Sequence, residues 1–325
     1  MTLDARQELD AAVSRWGEWT DHNIRVSDGV FTIDERIVSE KLRRVLQVVS
    51  DLAGKPLSEL RILDLACLEG QYACEFAQHG ARTVAIEGRE VNIRKADLAK
   101  RLLGLDNLQL LLGDVRDLAR DTHGGFDVVL CLGILYHLDA PDVFSFVEKI
   151  AAVCDRLAVF DTYVSLQPKR DYRYNGRQYW GRDIEEHDRR ESAADKRAKL
   201  WSSIENLNSA WLTKPTLLNL LARCGFTSVY ECYVPVEAAK PLDRVTLVAV
   251  KGQKAEVMTC PATNAAPEAV LPEKLPVPSH FQRRLVNLRR SMTHLVPRQL
   301  RQAAKSRLLN AGIIHPVADK TVFRG

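Results

Sequence analysis

Four short apolar runs, each with a polar residue near its end, fill the stretch between residues 61 and 138: RILDLA (61–66), RTVAIE (82–87), NLQLLLGDV (107–115) and FDVVLCLGILYHL (126–138). Runs this uniformly apolar suit strands covered on both faces, and the segments between them have the period of amphipathic helices. The predicted order is strand 61–66, helix 70–79, strand 82–87, helix 89–103, strand 108–112, a short helix near 115–120, strand 126–132, helix 141–153 and strand 156–162. Gly80 and Gly104 stop the first two helices, and Pro141 stands in the first turn of the last. Such alternation implies a parallel, doubly wound α/β sheet. Ligands of open parallel sheets bind outside the carboxyl ends of the strands. The polar groups at those ends are Asp64, Glu87, Asp114, and Tyr136 with His137, so they are expected to wall one pocket.

In order and spacing, Asp64–Gly70, Glu87, Asp114 and the GILYHL segment (133–138) resemble the class I S-adenosylmethionine (SAM) dependent methyltransferases, over roughly residues 30–252. The resemblance implies a seven-stranded, mostly parallel, Rossmann-like sheet with a terminal antiparallel hairpin, and SAM as cofactor. Asp64 would lie near the methionine end and Glu87 would accept hydrogen bonds from the ribose hydroxyls. Asp114, with the Val115 N–H, would read the adenine edge, or cap the short helix behind it, or both. Leu132 and Tyr136 would complete the cofactor wall, and Asn92 is expected at the surface. The loop after the first strand departs from the family's acidic-x-Gly-x-Gly-x-Gly pattern: Ala66 and Leu68 stand at the first two glycine positions and only Gly70 remains. Ala66 adds one methyl, whereas Leu68 is expected to hold the backbone at φ < 0 and narrow the approach to the ligand.

Methyl transfer to a hydroxyl needs position, desolvation and a base. His137 is the candidate base, with Asp161, at the end of the fifth strand, to orient it or bind the acceptor. The acceptor would be a small molecule or a glycan intermediate. No metal is assigned, since His137 and Asp161 lack a recognisable third ligand. A narrower resemblance exists: HNIRVSDGVFT (22–32), GILYHL and DRVTLVAVK (243–251) are similar to parts of the bacterial tRNA wobble-uridine carboxymethyltransferases. Those enzymes use a carboxylated SAM, and the match would place Tyr136 and Arg244 near the cofactor. A non-catalytic binding protein on the same fold is the remaining alternative.

Around this centre the chain divides into an N-terminal arm (1–33), a SAM-binding domain (34–252), a Pro/Ala-rich linker (253–278) and a basic tail (279–325). In the arm, Trp16, Trp19 and His22 either close over a ligand or fill a core edge. Thr32 and Glu35 read as a capping box for a helix carrying Val38, Leu42, Val45, Val49 and Leu52 on one face. The polar, aromatic insertion 165–212 follows the fifth strand and is expected to act as a lid. Its Tyr172, Tyr174, Tyr179, Trp180 and His187 either touch the acceptor or build the lid's own core. Thr213 caps a helix over 214–224, and the short link between strands 226–234 and 244–251 requires them to pair antiparallel.

The formal net charge of +4 is unevenly spread. Nine Lys and Arg residues and no carboxylate lie between Lys274 and Ala318, so the rest of the chain is net acidic. Apolar residues at Phe281, Leu285, Leu288, Met292 and Leu295 share one helical face in that tail. A cationic amphipathic helix suits an anionic membrane surface or a nucleic-acid backbone, or else docks on protein. No secretory leader, transit peptide or membrane-spanning run is read, and the seven scattered cysteines form no CxxC pair. The expected setting is cytoplasmic, with peripheral contact at the inner membrane face through the tail.

Overall fold

The computed structural model describes residues 4–237 and 240–265. The basic tail and the second half of the linker lie outside the described residues. In chain order the elements are α1 (Ala5–Trp16), β1 (Arg25–Ser27), β2 (Val30–Phe31), α2 (Glu40–Leu52), β3 (Arg61–Leu65), α3 (Gln71–Gln78), β4 (Arg82–Glu87), α4 (Glu90–Leu102), β5 (Leu108–Leu112) and α5 (Arg120–His123). They continue with β6 (Phe126–Leu132), α6 (Asp142–Val153), β7 (Cys154–Tyr163), β8 (Arg170–Tyr174), β9 (Arg177–Glu185), α7 (Ala193–Ala198), β10 (Asn208–Leu212), α8 (Lys214–Arg223), β11 (Ser228–Glu231) and β12 (Arg244–Val250).

Seven strands form one sheet in the order β11-β12-β7-β6-β3-β4-β5. All neighbouring pairs from β7 to β5 are parallel, whereas β12 runs antiparallel to both β7 and β11. Alternate residues of each strand enter opposite layers. Ile62, Val128, Leu130 and Val159 pack under α2 and α3, while Leu63, Leu65, Val129 and Cys131 meet the layer built by α6 and α8. Both faces are thus covered, which is why these strands read as unbroken apolar runs. Because β3 lies at the centre of the five parallel strands, its end and those of β4 and β6 open onto one rim.

α2 begins later than its sequence suggests. Its cap is Ser39, whose Oγ accepts from the Leu42 N–H at 3.2 Å, not Thr32. The Thr32 hydroxyl is engaged elsewhere: it donates to the His22 carbonyl and accepts from the Ile24 N–H, so it ties the arm instead of starting a helix. The short helix expected near 115–120 is a single 3-10 turn over Val115–Asp117, with α5 following. Residues 170–212 of the insertion carry a second sheet of their own, β10-β9-β8, antiparallel throughout. No helix among the described residues is long and apolar enough to cross a membrane.

Candidate functional site

The loop between β3 and α3 sets the centre of the site. Ala66, Leu68 and Gly70 all take positive φ, 53°, 49° and 85° respectively. Leu68 therefore does adopt the left-handed conformation that its side chain disfavours, at a cost of ~1–2 kcal/mol. Tertiary hydrogen bonds account for it. The Leu68 N–H donates to Glu87 Oε2 at 2.9 Å, and the Cys67 N–H donates to the Ile86 carbonyl at 3.0 Å. Gly70 alone has no substitute, because a Cβ there would also stand 3.0 Å from the Ala96 Cβ.

The next residue, Glu69, fastens the arm to this loop. Its fully buried carboxylate accepts from the Thr20 N–H (3.0 Å) and from the ammonium of buried Lys95 (3.0 Å), with longer contacts to the Asp21 and His22 N–H groups. The Gln71 N–H donates to His22 Nδ1 at 3.1 Å. Burial, with Lys41 adding to it, pushes the His22 imidazole down to about 3, so it stays neutral and can accept that bond. The arm aromatics divide between the two places that the sequence suggests. Trp19 is buried in the core, whereas His22 lines the cavity.

A cavity of about 1040 Å³ opens over the carboxyl ends of the central strands. Asp64, Ala66, Leu68, Glu87, Asp114, Val115, Leu132, Tyr136 and His137 all line it, which brings together the expected pocket residues other than Gly70 and Asp161. Asp64 is buried, and burial together with the charge of Glu87 raises its carboxyl to about 8, against a backbone hydrogen bond from Ala73. Its Oδ2 has no hydrogen-bond partner among the described residues. Burial also pushes the Glu87 carboxyl up, opposed by bonds from the Arg89 and Leu68 N–H groups and Asn92. Asn92, expected at the surface, is buried and donates to Glu87 Oε1 at 3.3 Å. Asp114 caps the 3-10 turn through the Arg116 N–H, and its second oxygen takes the Arg116 guanidinium at 2.6 Å.

The insertion forms the opposite wall. Arg89 donates to the carbonyls of Lys199 (2.9 Å) and Ser202 (2.8 Å), and the Ile204 side chain comes so close over Gly88 that a Cβ there would meet it at 2.5 Å. Tyr172, Tyr174 and Tyr179 pack on Phe144 of α6 and do not line the cavity; His187 is buried against the Ser203 carbonyl. The three tyrosines thus join the core between the insertion and α6, which corrects both expected roles, acceptor contact and a separate core of the insertion. The insertion residues that do face the cavity include Glu186, Trp201, Ile204 and Trp211.

Two expected partnerships are rearranged. His137 Nδ1 is hydrogen-bonded to Glu186, at 3.0 Å from Oε1 and 3.2 Å from Oε2, not to Asp161. A second bond, from the Ser203 N–H at 2.9 Å, orients Glu186. Burial raises the Glu186 carboxyl, but the bonds from His137 and Ser203 outweigh it and hold it below its ordinary range. Asp161 is fully buried and does not line the cavity; it lies beneath Arg244 (2.6 Å) and the Thr246 hydroxyl (2.7 Å). The register explains this: Asp161 pairs with Thr246 of β12 on one side and Leu132 of β6 on the other, within the sheet and not beyond it. Sequence reasoning missed Glu186, Lys41 and Lys240. Their signal was absent, because each reaches the cavity from a segment far along the chain.

The sheet order, the parallel centre and the antiparallel β12 make this the fold of class I methyltransferases. Residues 62–156 match the sequence family described as a methyltransferase domain. Curated relatives include the ubiquinone biosynthesis O-methyltransferase of Rickettsia akari, 27% identical over 36% of this chain and 45% of the relative. The enzyme of the same name from Bordetella avium is 32% identical over 33% of this chain and 43% of the relative. The match thus spans less than half the length of these relatives. Among solved structures, the N-terminal domain of EvdMO1, determined in the presence of SAH and D-fucose, superimposes with a TM-score of 0.60, at 21% identity, over 77% of this chain and 98% of that one.

Proposed function

We propose that this protein transfers a methyl group from SAM to a hydroxyl of a small-molecule or glycan acceptor. The observation that carries the reading is Asp64 Oδ2, a buried and unpartnered carboxylate oxygen in the lining of the cavity. Burying such a group without a partner is costly, and a ligand ammonium would relieve it. The ammonium of SAM's methionine end fits that requirement, and Glu87, one strand away, would accept from the ribose hydroxyls. The curated O-methyltransferases that match the central strands support the same chemistry.

Bound SAM would supply a methyl group on a sulfonium, already activated to leave with the bonding pair staying on sulfur. The chain's part is to hold the acceptor and remove its proton. Glu186 can only accept at His137 Nδ1, which leaves Nε2 with its lone pair as the base toward the cavity. Nε2 would take the proton of the acceptor hydroxyl, which leaves the oxygen's electron pair free to receive the methyl group. The insertion serves as a lid that keeps water from the site.

The test is calorimetry with SAH on the full-length protein, followed by transfer of a ¹³C-methyl label from SAM into a small-molecule extract. SAH should bind, Glu87→Gln should weaken it by ~1.5–3 kcal/mol, and the label should appear as O-methyl carbon. Absence of SAH binding in the folded wild type defeats the proposal. SAH binding without transfer points to a non-catalytic binding protein.

For the basic tail we propose peripheral contact with anionic lipid, each cation near such a surface contributing ~1 kcal/mol. Full-length protein should sediment with anionic vesicles and much less with neutral ones. Replacing Arg283, Arg284, Arg289 and Arg290 by Gln should abolish the difference. Salt-sensitive binding to tRNA without vesicle binding would instead favour the wobble-uridine reading.

A further inference from the structure

One end of the cavity carries cations that methyl transfer itself does not use. Lys41, in the first turn of α2, Lys240, in the segment before β12, and Arg244, its first residue, all line it. Their shared counter-ion is Asp161, buried beneath them. Arg244 binds it at 2.6 Å, whereas Lys41 and Lys240 each stand 3.9 Å away, outside hydrogen-bond reach. Lys240 donates instead to the Thr246 hydroxyl at 2.7 Å.

The other charges at this end do not cancel the excess. Glu237 lies 3.9 Å from Lys240 but is held at 3.1 Å by Arg44, itself buried, so that pair is neutral. Glu40, next to Lys41 in the chain, lines the cavity too but forms no ion pair with the three cations among the described residues. Three cation head groups therefore share one buried carboxylate, Asp161. Burial holds the Lys240 ammonium below its ordinary pKa, and Arg44 and Arg244 add to this, despite the pull of Asp161.

Beside the cations stands a flat aromatic wall. The Arg244 guanidinium lies 4.8 Å from the Tyr163 ring and 5.4 Å from that of Tyr136, and Tyr163 stacks on Trp211 at 4.7 Å. Apolar rings exclude water here, which strengthens any charge pairing in the same volume.

We propose that this end of the cavity is an anion subsite that binds a carboxylate of the acceptor through Lys41, Lys240 and Arg244, with the body of the acceptor against Tyr163 and Trp211. The inference rests on the reading that the Asp64 end takes SAM. It follows from distance across the sheet. The head groups of Lys41, Lys240 and Arg244 all lie within 3.9 Å of Asp161 on β7, and β7 is two strands from β3, or roughly 10 Å at ~4.8 Å per strand. The donor's own carboxylate shares a carbon with its ammonium, so with that ammonium on Asp64 it stays near β3. The cations around Asp161 are then left for the second substrate, and a cationic donor beside them favours an anionic acceptor.

The test titrates the full-length protein, saturated with SAH, with matched acid and amide probes: hydroxybenzoate and hydroxybenzamide, dihydroxybenzoate and dihydroxybenzamide, glucuronate and glucuronamide. At least one acid should bind about tenfold more tightly than its amide, and Lys240→Gln or Lys41→Gln should remove that preference while SAH affinity stays near wild type. If no acid surpasses its amide, whether or not anything binds, the subsite is overturned and SAM binding stands. If either Gln variant weakens SAH tenfold or more, the cations serve the donor's methionine carboxylate and the inference falls. Carboxylated SAM in mass spectra of the co-purified ligand also overturns it, since the anion would then belong to the donor. Failure of the wild type to bind SAH removes the underlying reading, and the subsite with it.

Discussion

His137 donates from Nδ1 to Glu186, 3.0 Å away, and this one bond decides which ring nitrogen is left to act on a substrate. It also joins the end of β6 to the insertion, because Glu186 is held in turn by the Ser203 N–H. The proposed base is therefore positioned only when the insertion is folded against the sheet.

Replacing either partner separates chemistry from stability. His137→Ala should lower turnover ~10²–10⁴-fold while SAH affinity holds, as release of SAH from SAM would register. Glu186 titrates below its ordinary 4.5 in the fold, so it stabilises above that pH and loses the contribution as the pH falls through its lowered value. Glu186→Gln should accordingly unfold ~1–3 kcal/mol more easily at neutral pH, with the difference shrinking in acid. Equal stability of the two proteins at neutral pH would count against the bond.

Asp64 trades stability for binding. Its carboxyl is raised to about 8, so the free protein loses stability as the pH climbs from the ordinary 3.8 through that value. Asp64→Asn should therefore melt above the wild type at alkaline pH, match it in acid, and bind SAH poorly. In the wild type at pH 7, pairing with an ammonium should expel about one proton. Calorimetry in buffers of different ionisation enthalpy measures it, and a buffer-independent enthalpy would contradict the assignment.

Glu69 is expected to be worth more than a surface ion pair. Glu69→Ala leaves Lys95 buried without its carboxylate and frees the Thr20 N–H, which should cost ~3–5 kcal/mol in denaturant unfolding. SAH affinity should fall as well, because the arm and the 66–70 loop share this anchor.

Ala66 holds a positive φ of 53° without being glycine. Ala66→Gly should relieve ~1–2 kcal/mol of strain against an entropic loss of ~0.4–1 kcal/mol, a small net gain in stability. A clear loss on chemical denaturation would show that the methyl packs more than it strains.

The parallel centre and its rim were legible in the sequence, since strand ends follow directly from apolar runs and helix stops. Asp64, Glu87, Asp114 and His137 could be placed because each needs only its own strand to reach the cavity. Conformation at Leu68 was misread for a physical reason. A side chain's local preference of ~1–2 kcal/mol yields to a buried carboxylate that demands its N–H.

The sequence by itself determined which residues stand at the carboxyl edge of the sheet, because a period of two and the position of the strand end are local properties of the chain. Only the tertiary structure decided who pairs with whom. Glu186 meets His137 across 49 positions, and Arg244 covers Asp161 across 83, once β12 has returned antiparallel beside β7. No local pattern encodes such pairings. They depend on where a long insertion and a reversed strand come to rest, and burial there makes every unpaired charge costly enough to fix its partner.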